Sequence, residues 1–368
     1  MPVKITTIVG TRPEAIKMAP VLLALGRRAS MTSALIATGQ HGALFQDALT
    51  PFGLTADQWL GTPTNGLAPD AMAEAITAGL IPLLQADRPD LVLVQGDTTS
   101  ALAAARAASQ CDIPVGHVEA GLRSHDLERP WPEEGNRIAI DRLATLLFAP
   151  TEGNIANLRA DPLVKGKAFM TGNTGIDALL HIRRGLPPPQ PRKNPPHILV
   201  TLHRRETIGD PLRRICEMLG QLADARDVSI TLPLHPNPYV REIIASALSG
   251  RNRVSLIEPL SYPDMIATMT SSDLILSDSG GIQEEAPALG VPLLILRDVT
   301  ERPEAMTCGG AIRSGTDSDA IRDDTIRLLH DQATRAAMAI PRFPFGRGDA
   351  AAKVITVIEN YLRSQNVT

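Results

Sequence analysis

The chain has 368 residues, of which 43% are hydrophobic and 21% charged, a balance typical of a folded globular protein with two domains. Aromatic residues make up only 3%, the net charge is −4 and lysine and arginine form no block, which argues against nucleic acid or an anionic membrane as the main partner. No apolar run approaches the roughly 20 residues that span a bilayer, and the N-terminal Met1–Ile5 runs directly into a predicted strand, unlike a signal peptide. Cys111, Cys216 and Cys308 are too widely spaced for a disulfide framework or a zinc site, so we expect a cytoplasmic protein with buried thiols and no metal.

The first half of the chain repeats one unit, in which a short apolar strand is followed by a loop and an amphipathic helix rich in alanine and leucine. The predicted strands are Lys4–Val9, Ala34–Ala37, Leu91–Val94, Pro114–Val118 and Leu146–Ala149. The predicted helices are Glu14–Arg28, Leu44–Phe52, Ala71–Ala86, Ser100–Ser109, Gly135–Leu143 and Gly153–Ala160. This alternation predicts a parallel, doubly wound sheet.

A proline-rich segment, Arg184–Pro196, predicts a stiff linker, after which the same unit begins again. The predicted strands of the second half are Ile198–Leu202, Ser229–Leu232, Val254–Leu256, Leu274–Ser277 and Pro292–Leu296. The predicted helices are Asp210–Ala223, Tyr239–Leu248, Tyr262–Thr270, Gly281–Leu289, Ser318–His330 and a final amphipathic helix, Asp349–Ser364. We therefore predict an α/β protein with two doubly wound Rossmann-like domains facing a cleft, residues 1–170 and residues 171–349.

The segment Asp278–Glu285 follows a predicted buried strand and opens a predicted helix. Ser279 is a good N-cap residue, and Gly280 and Gly281 let a ligand come close to the backbone. Because the first N–H groups of a helix lack intrahelical partners and the helix dipole is positive there, this segment predicts a phosphate site. The glutamates of the first turn can accept hydrogen bonds from sugar hydroxyls of a nucleotide. The alternative is an ordinary strand-to-helix turn that needs glycine for positive φ.

Carboxylates follow two consecutive predicted strands of the first half. Asp97 comes after Leu91–Val94 and Glu119 after Pro114–Val118, so on adjacent strands, about 4.8 Å apart, they would share one edge of the sheet. Two close carboxylates favour protonation of one of them, which can then act as an acid. Arg123 is placed to counter their charge. Alternatively Asp97 caps the next helix, and the two roles can coexist.

A loop pinned by two prolines, Arg129–Pro132, leads into a predicted helix that starts with Glu133 and Glu134. Negative charge is favoured at a helix start, so capping explains one of these glutamates. Because the prolines and Trp131 fix the loop, the other interpretation is a third positioned carboxylate.

Basic and donor residues follow other predicted strands. Gly10–Glu14 lacks the G-x-G-x-x-G fingerprint, so we expect no nicotinamide cofactor. Arg12 is placed to reach a diphosphate, and Lys17 either joins it or is solvated. In the second half, strand-end segments containing His203, His235 and Arg302 join the Ser279 turn to form a donor-rich edge. Acids on one domain and phosphate-binding groups on the other are the division that a nucleotide-sugar enzyme needs.

As an ordered set, these segments resemble the non-hydrolysing UDP-N-acetylglucosamine 2-epimerases, which have a two-domain glycosyltransferase-B type fold. The matching segments are Gly10–Pro20, Thr38–His41, Gln95–Thr98, Val118–Arg123, Pro132–Glu134, His203–Glu206, His235–Pro238, Asp278–Pro287 and Thr300–Glu304. They run in order through nearly the whole chain.

The resemblance implies a role for each matching residue. Asp97, Glu119 and Glu133 would be acid/base carboxylates, and His203 would assist the departure of UDP. The implied ligand contacts are Arg12, Ser279 and Gly280 with phosphates, Glu285 with the ribose, and Arg302 with the sugar or the diphosphate. A homodimer is also implied, as is a last helix, about 350–368, that crosses back to the first domain.

Chemistry favours elimination as the mechanism. The C2 proton of an N-acetylhexosamine is not alpha to a carbonyl, and oxidation at C3 would need a nicotinamide. Loss of UDP from C1 acidifies the C2 proton, which a carboxylate removes to give 2-acetamidoglucal; re-addition with protonation from the opposite face inverts C2.

Three alternatives remain open. One is a hydrolysing epimerase that releases N-acetylmannosamine and UDP, another an epimerase for a modified UDP-N-acetylhexosamine, and the third a binding protein without turnover. Gly42, Ala43 and Gly61–Gly66 depart from the pattern of bacterial relatives, where this region belongs to an activating second substrate site. These departures argue against substrate activation in this chain.

Overall fold

A computed structural model describes residues 2–40, 42–61, 66–188, 195–202, 208–225, 227–235 and 237–365. The chain divides into two compact units, Met1–His181 together with Phe345–Thr368, and Ile182–Pro344. The predicted boundaries lie at 170/171 and 349/350, within about a dozen residues of these. Within the described ranges, every helix is too short or too polar to cross a bilayer.

Described residues of the first unit form a seven-stranded parallel sheet in the order β3-β2-β1-β4-β5-β6-β7. Its strands are β1 (Val3–Val9), β2 (Met31–Ala37), β3 (Gln58–Trp59), β4 (Leu91–Gln95), β5 (Val115–Val118), β6 (Leu146–Ala149) and β7 (Lys167–Met170). Each strand is followed by a helix, in order α1 (Arg12–Leu25), α2 (Ala43–Leu49), α3 (Pro69–Asp87), α4 (Thr99–Gln110), α5 (Glu133–Leu143), α6 (Glu152–Ala160) and α7 (Thr174–Gly185).

The second unit repeats the design with a six-stranded parallel sheet, counted over its described residues, in the order β10-β9-β8-β11-β12-β13. Its strands are β8 (His197–Thr201), β9 (Ser229–Pro233), β10 (Val254–Ile257), β11 (Leu274–Ser277), β12 (Leu293–Ile295) and β13 (Ala311–Arg313). The helices are α8 (Asp210–Ala225), α9 (Pro238–Leu248), α10 (Tyr262–Ser271), α11 (Gly280–Leu289), α12 (Glu304–Thr307), α13 (Ser318–His330) and α14 (Gln332–Met338).

Helix α15 (Ala350–Gln365) follows the second unit along the chain but belongs to the first. The buried carboxylate of Asp177, on α7, accepts hydrogen bonds from the N–H groups of Ala350 and Ala351 at 3.2 and 2.9 Å. Arg28, just after α1, pairs with Glu359 of α15 at 2.9 Å. The helix start is therefore capped by a side chain from the first unit.

The two sheets confirm the predicted α/β class with two doubly wound Rossmann-like domains. Strands β3, β7 and β13 were not predicted; they are edge strands of two to four residues whose side chains, apart from the buried Ala311, are exposed or half-buried. An edge strand lacks the continuous apolar run of a strand covered on both faces. Helices α7, α12 and α14 were also missed. The predicted linker Arg184–Pro196 overlaps the end of α7, and residues 189–194 of it lie outside the described residues.

The alanine-rich helix α4 shows how the core of the first unit is packed. Its buried residues include Ala101, Ala103, Ala104, Ala105, Ala107 and Ala108. Because alanine side chains are short, α4 lies close to the sheet and to the flanking helices α3 and α5. The helix start, and the loop that precedes it, are therefore held tightly against the end of the sheet.

In each sheet the strand order reverses once, between β1 and β4 in the first unit and between β8 and β11 in the second. Loops diverge at such a point and leave a crevice beyond the carboxyl ends of the strands, where doubly wound proteins bind ligands. In the first unit the β1–α1 and β4–α4 loops border this crevice. In the second unit the β11–α11 turn borders it, and residues 203–207, which follow β8, lie outside the described residues.

The buried carboxylate of Glu14 joins the two sides of the first crevice. Its Oε2 accepts hydrogen bonds from the N–H groups of Gly10 and Thr11 at 2.9 and 2.6 Å, and its Oε1 from the hydroxyl of Thr98 at 2.6 Å. Thr98 in turn caps α4 by accepting from the N–H of Ala101 at 3.0 Å. One carboxylate thus fixes the loops after both β1 and β4.

Gly10 allows these loops to meet, and its replacement by alanine tests the contact. A Cβ at this position would lie 2.1 Å from the Ser100 hydroxyl and 2.3 Å from that of Thr38. We expect Gly10→Ala to lower the free energy of unfolding by about 1–3 kcal/mol, because Ser100 of α4 and Thr38 after β2 must both move away from the new methyl group. Gly26→Ala is the matched control at the other end of α1, where the nearest atom lies 3.5 Å away. Equal denaturation midpoints for the two variants would contradict this prediction.

The ionisation of Glu14 predicts a pH-dependent stability. Burial is the main cause that raises the pKa of Glu14 above its ordinary value. Because the pKa of Glu14 is higher in the folded than in the unfolded state, binding of this proton stabilises the fold. The stabilisation is complete below the unfolded-state pKa and is lost as the pH rises through the folded-state pKa. We therefore expect the stability of wild type relative to Glu14→Gln to fall as the pH rises above the ordinary pKa of a glutamate. Denaturant titrations measure it, and a difference that rises or stays constant would refute the assignment.

Candidate active site

Asp97 lies immediately beyond β4, where an arginine holds its carboxylate. Arg137 of α5 donates to Asp97 Oδ2 from Nε, at 3.1 Å, and from Nη2. Asn136 donates to the Asp97 carbonyl at 2.9 Å. The Asp97 side chain is 24% exposed, whereas that of Arg137 is buried. Because Thr98 caps α4, the alternative in which Asp97 caps this helix is wrong.

Glu119 follows β5, which pairs with β4, so the two carboxylates meet the condition for sharing one edge of the sheet. It has a φ of +71°, a conformation that costs a non-glycine residue roughly 1–2 kcal/mol and turns the chain sharply out of the sheet. Its buried Oε2 accepts a hydrogen bond from Lys17 at 2.7 Å and another from Gln95. Asp97 and Glu119 thus end neighbouring strands, each beside its own cation.

The predicted counter-ion is wrong. Arg123 pairs with Asp141 at 2.7 Å, and the cations beside Asp97 and Glu119 are Arg137 and Lys17. The solvated alternative for Lys17 is also wrong, since its side chain is 13% exposed and ion-paired. The sequence analysis did not single out Arg137, although a signal exists: it lies one turn after Glu133 on the same helix.

Helix α5 begins at Glu133, and the two glutamates of its first turn lie in different surroundings. Glu134 is buried and accepts hydrogen bonds from the N–H groups of Ser124 and His125 at 3.0 and 3.2 Å, and from Arg137 at 3.0 Å. Glu134 therefore holds the loop that follows Glu119 through hydrogen bonds to its backbone. Glu133, half-buried at the positive end of the helix dipole, remains the predicted third acid/base carboxylate.

Two predicted phosphate contacts of the first unit, Arg12 and Lys17, lie in the first two turns of helix α1. Arg12 is its first residue and is half-buried, and Lys17 lies one turn later, beside Glu119. Both therefore lie on the helix that follows the central strand β1. Whether they bind the diphosphate remains a prediction.

The β11–α11 turn of the second unit has the predicted form. Ser279 is the N-cap residue of α11, and the glycines that follow it are the first two residues of the helix, so a left-handed turn does not require them. Among the described residues, the nearest atom to a Cβ placed on Gly281 is the Ser279 hydroxyl, at 3.9 Å. The Ser277 and Thr201 hydroxyls, 2.6 Å apart, join the ends of β11 and β8. The first turn of α11 therefore begins at the carboxyl end of β11, beside the end of β8.

Other predicted contacts of the second unit lie around α11 and after β9. Glu285 accepts a hydrogen bond from the Tyr262 hydroxyl at 2.8 Å. His235, after β9, accepts one from the N–H of Asn237 at 3.1 Å. His203, with the segment His203–Glu206, lies outside the described residues, as do His41 and residues 62–65 of the region that departs from bacterial relatives.

Arg302 belongs to a buried row of alternating charges. Its Nε donates to Glu284 of α11 at 2.5 Å, and its Nη1 donates to Glu301. Glu301 also accepts from Arg297 at 3.0 Å. The row fastens the segment after β12 to the first turns of α11, and contact of Arg302 with a ligand remains a prediction.

Removing Arg302 tests this row. In Arg302→Met two buried carboxylates lose a cation, so we expect the second unit to lose about 3–5 kcal/mol of stability. Arg322 also pairs with two acids, Asp319 and Asp323, but on the surface. Its replacement by methionine should cost at most about 1 kcal/mol. Denaturant titration of both variants makes the comparison, and equal losses would show that burial does not strengthen this network.

Comparison with known proteins places the chain in a family. A family model described as UDP-N-acetylglucosamine 2-epimerase matches residues 23–359. The UDP-N-acetylglucosamine 2-epimerase of Salmonella typhimurium is 42% identical over 371 residues, which cover 97% of this chain and 99% of that protein. The crystal structure of UDP-GlcNAc 2-epimerase from Neisseria meningitidis bound to UDP-GlcNAc is similar with a TM-score of 0.91 and 39% identity, covering 97% of this chain and 100% of that chain.

A more distant enzyme shares only the fold with this chain. The glycosyltransferase SnogD from Streptomyces nogalater has a TM-score of 0.56 at 16% identity, covering 97% of this chain and 99% of that chain. The predicted glycosyltransferase-B type fold and the predicted family are both confirmed. The chain belongs to the UDP-N-acetylglucosamine 2-epimerase family.

Proposed function

We propose that this protein interconverts UDP-N-acetylglucosamine and UDP-N-acetylmannosamine by elimination and re-addition of UDP. The observation that carries the proposal is the pair of carboxylates, Asp97 and Glu119, at the carboxyl ends of neighbouring strands. Each is paired with its own cation, Asp97 with Arg137 and Glu119 with Lys17. An ionised carboxylate is the base that removal of the C2 proton needs.

The reaction balances without a redox cofactor. The bond between C1 and the β-phosphate oxygen breaks, and its electron pair leaves with UDP. Positive charge at C1 acidifies the C2 proton, which one carboxylate removes, and the electrons of the C2–H bond form the C1=C2 double bond of 2-acetamidoglucal. A proton delivered to C2 from the opposite face, with return of UDP to C1, completes the inversion.

The leaving group needs fixed donors until it adds back. The N–H groups at the start of α11, with Ser279 at its N-cap, suit the negative charge of a diphosphate. Arg12, at the start of α1, is the proposed phosphate contact of the first unit. The family resemblance adds His203 beside the diphosphate, Glu285 at the ribose and Arg302 at the sugar or the diphosphate, and it also implies a homodimer.

Isotope exchange tests the proposal. Incubation with UDP-N-acetylglucosamine in deuterium oxide, followed by NMR at C2, should yield UDP-N-acetylmannosamine that carries deuterium at C2. Free N-acetylmannosamine with UDP would instead identify a hydrolysing enzyme, and no exchange would reject the proposal for this substrate.

Three variants test the carboxylates in the same assay. We expect Asp97→Asn and Glu119→Gln to abolish C2 exchange while UDP binding, measured by calorimetry, survives. Glu152→Gln is the matched control, an exposed carboxylate in the first turn of the helix after the next strand, β6. Loss of UDP binding in either active-site variant would show that the carboxylates hold the nucleotide instead.

A further inference from the structure

His117 is a fully buried histidine of β5 that the proposed chemistry does not use. Its Nε2 lies 2.7 Å from the carbonyl oxygen of Gly96, and its Nδ1 lies 2.7 Å from Asp141 Oδ1. The other oxygen of Asp141, also fully buried, accepts hydrogen bonds from the N–H of Gly121 at 3.2 Å and from Arg123 at 2.7 Å. One imidazole therefore connects the loops after β4 and β5 with helix α5.

The partners of His117 define where its protons lie. A carbonyl oxygen can only accept, so Nε2 carries a proton. Nδ1 faces Asp141, whose second oxygen already accepts hydrogen bonds from a guanidinium and a backbone N–H. If this carboxylate is ionised it too can only accept, and Nδ1 then carries a proton as well. The ring is then an imidazolium, paired with Asp141 as a buried charge requires.

The hydrogen bond to Gly96 fixes the peptide plane that leads into Asp97. Gly96 has a φ of +71°, and its N–H donates to the Val118 carbonyl at 3.0 Å. Its carbonyl belongs to the same rigid plane as the N–H of Asp97. Both peptide planes of Gly96 are thus bonded to β5, and the second of them is held by His117.

The hydrogen bond from His117 to Asp141 links His117 to the segment that follows Glu119. Asp141 holds Gly121 and Arg123, which lie two and four residues after Glu119. Glu119 itself has a left-handed backbone conformation, which persists only where the surroundings fix it. Asp141 lies one turn after Arg137 on α5, and Arg137 holds the Asp97 carboxylate.

We propose that His117 is a positioning residue of the epimerase reaction, a buried imidazolium that fixes Asp97 and Glu119 relative to each other. The expected effect on the reaction rate rests on the proposed function, whereas the protonation of His117 rests on the geometry. A neutral ring could donate to only one of its two partners, the Gly96 carbonyl or the Asp141 carboxylate. Because a small misplacement of a catalytic group can cost about 100-fold in rate, the bond at each nitrogen matters.

The kinetic test compares three variants. His117→Phe keeps an aromatic ring at this position but removes both ring nitrogens. Asp141→Asn keeps the shape of the side chain but removes its negative charge. We expect each to lower kcat by about 100-fold, with KM and UDP affinity unchanged. The control is His197→Asn, because His197 also has both ring nitrogens hydrogen-bonded, to Thr231 and Ser272, at the start of a strand in the second unit. It should retain wild-type kcat.

A spectroscopic test is independent of activity. In protein labelled with nitrogen-15 histidine, both ring nitrogens of His117 should show bonded protons at neutral pH, assigned by their absence in His117→Phe. Asp141→Asn should lose the Nδ1 proton, and this variant decides the matter if His117→Phe does not fold. A single bonded proton in wild type, or normal kcat in a folded His117→Phe, would overturn the inference. If wild type itself fails to exchange the C2 proton, the proposed function fails, and the nitrogen signals still report the state of His117.

Discussion

Charge withdrawn from water must be compensated, and this constraint shapes the carboxyl edge of both sheets. In the first unit the ion pairs are Glu119 with Lys17, Asp97 and Glu134 with Arg137, and Asp141 with Arg123. In the second unit Glu284 and Glu301 are paired with Arg302, and Glu301 also with Arg297. Desolvation offsets much of the attraction in such pairs, so their main effect is to define geometry, because any displaced partner leaves an uncompensated charge.

This constraint explains why loops that lack regular secondary structure can hold catalytic groups. The strands end at fixed positions, and each loop is then bonded to a neighbouring element through a side chain. Glu14 spans from the β1–α1 loop to Thr98, Arg137 reaches from α5 to Asp97, and Asp141 reaches from α5 to the loop after Glu119. A rigid sheet and a few buried polar side chains thus give the edge of the first unit a single arrangement.

The sequence predicted the interior strands, most helices and the family, because apolar runs and ordered motifs are local features. It failed at three of the four edge strands, β3, β7 and β13, and at the partners of the carboxylates. Lys17 is 102 residues from Glu119, and Arg137 is 40 residues from Asp97. Spacing along the chain cannot show which of several cations meets which acid, because that depends on how loops from different strands come together. The assignment of Arg123 to the carboxylate pair failed for this reason.

Helix α15 has a consequence for how the protein is made. It completes the first unit, through the cap by Asp177 and the pairing of Glu359 with Arg28, yet it is translated after the entire second unit. A ribosome therefore exposes most of the first unit long before its final helix exists, and the second unit can fold earlier than the first is finished. The first unit can therefore be completed only after the second unit has been synthesised.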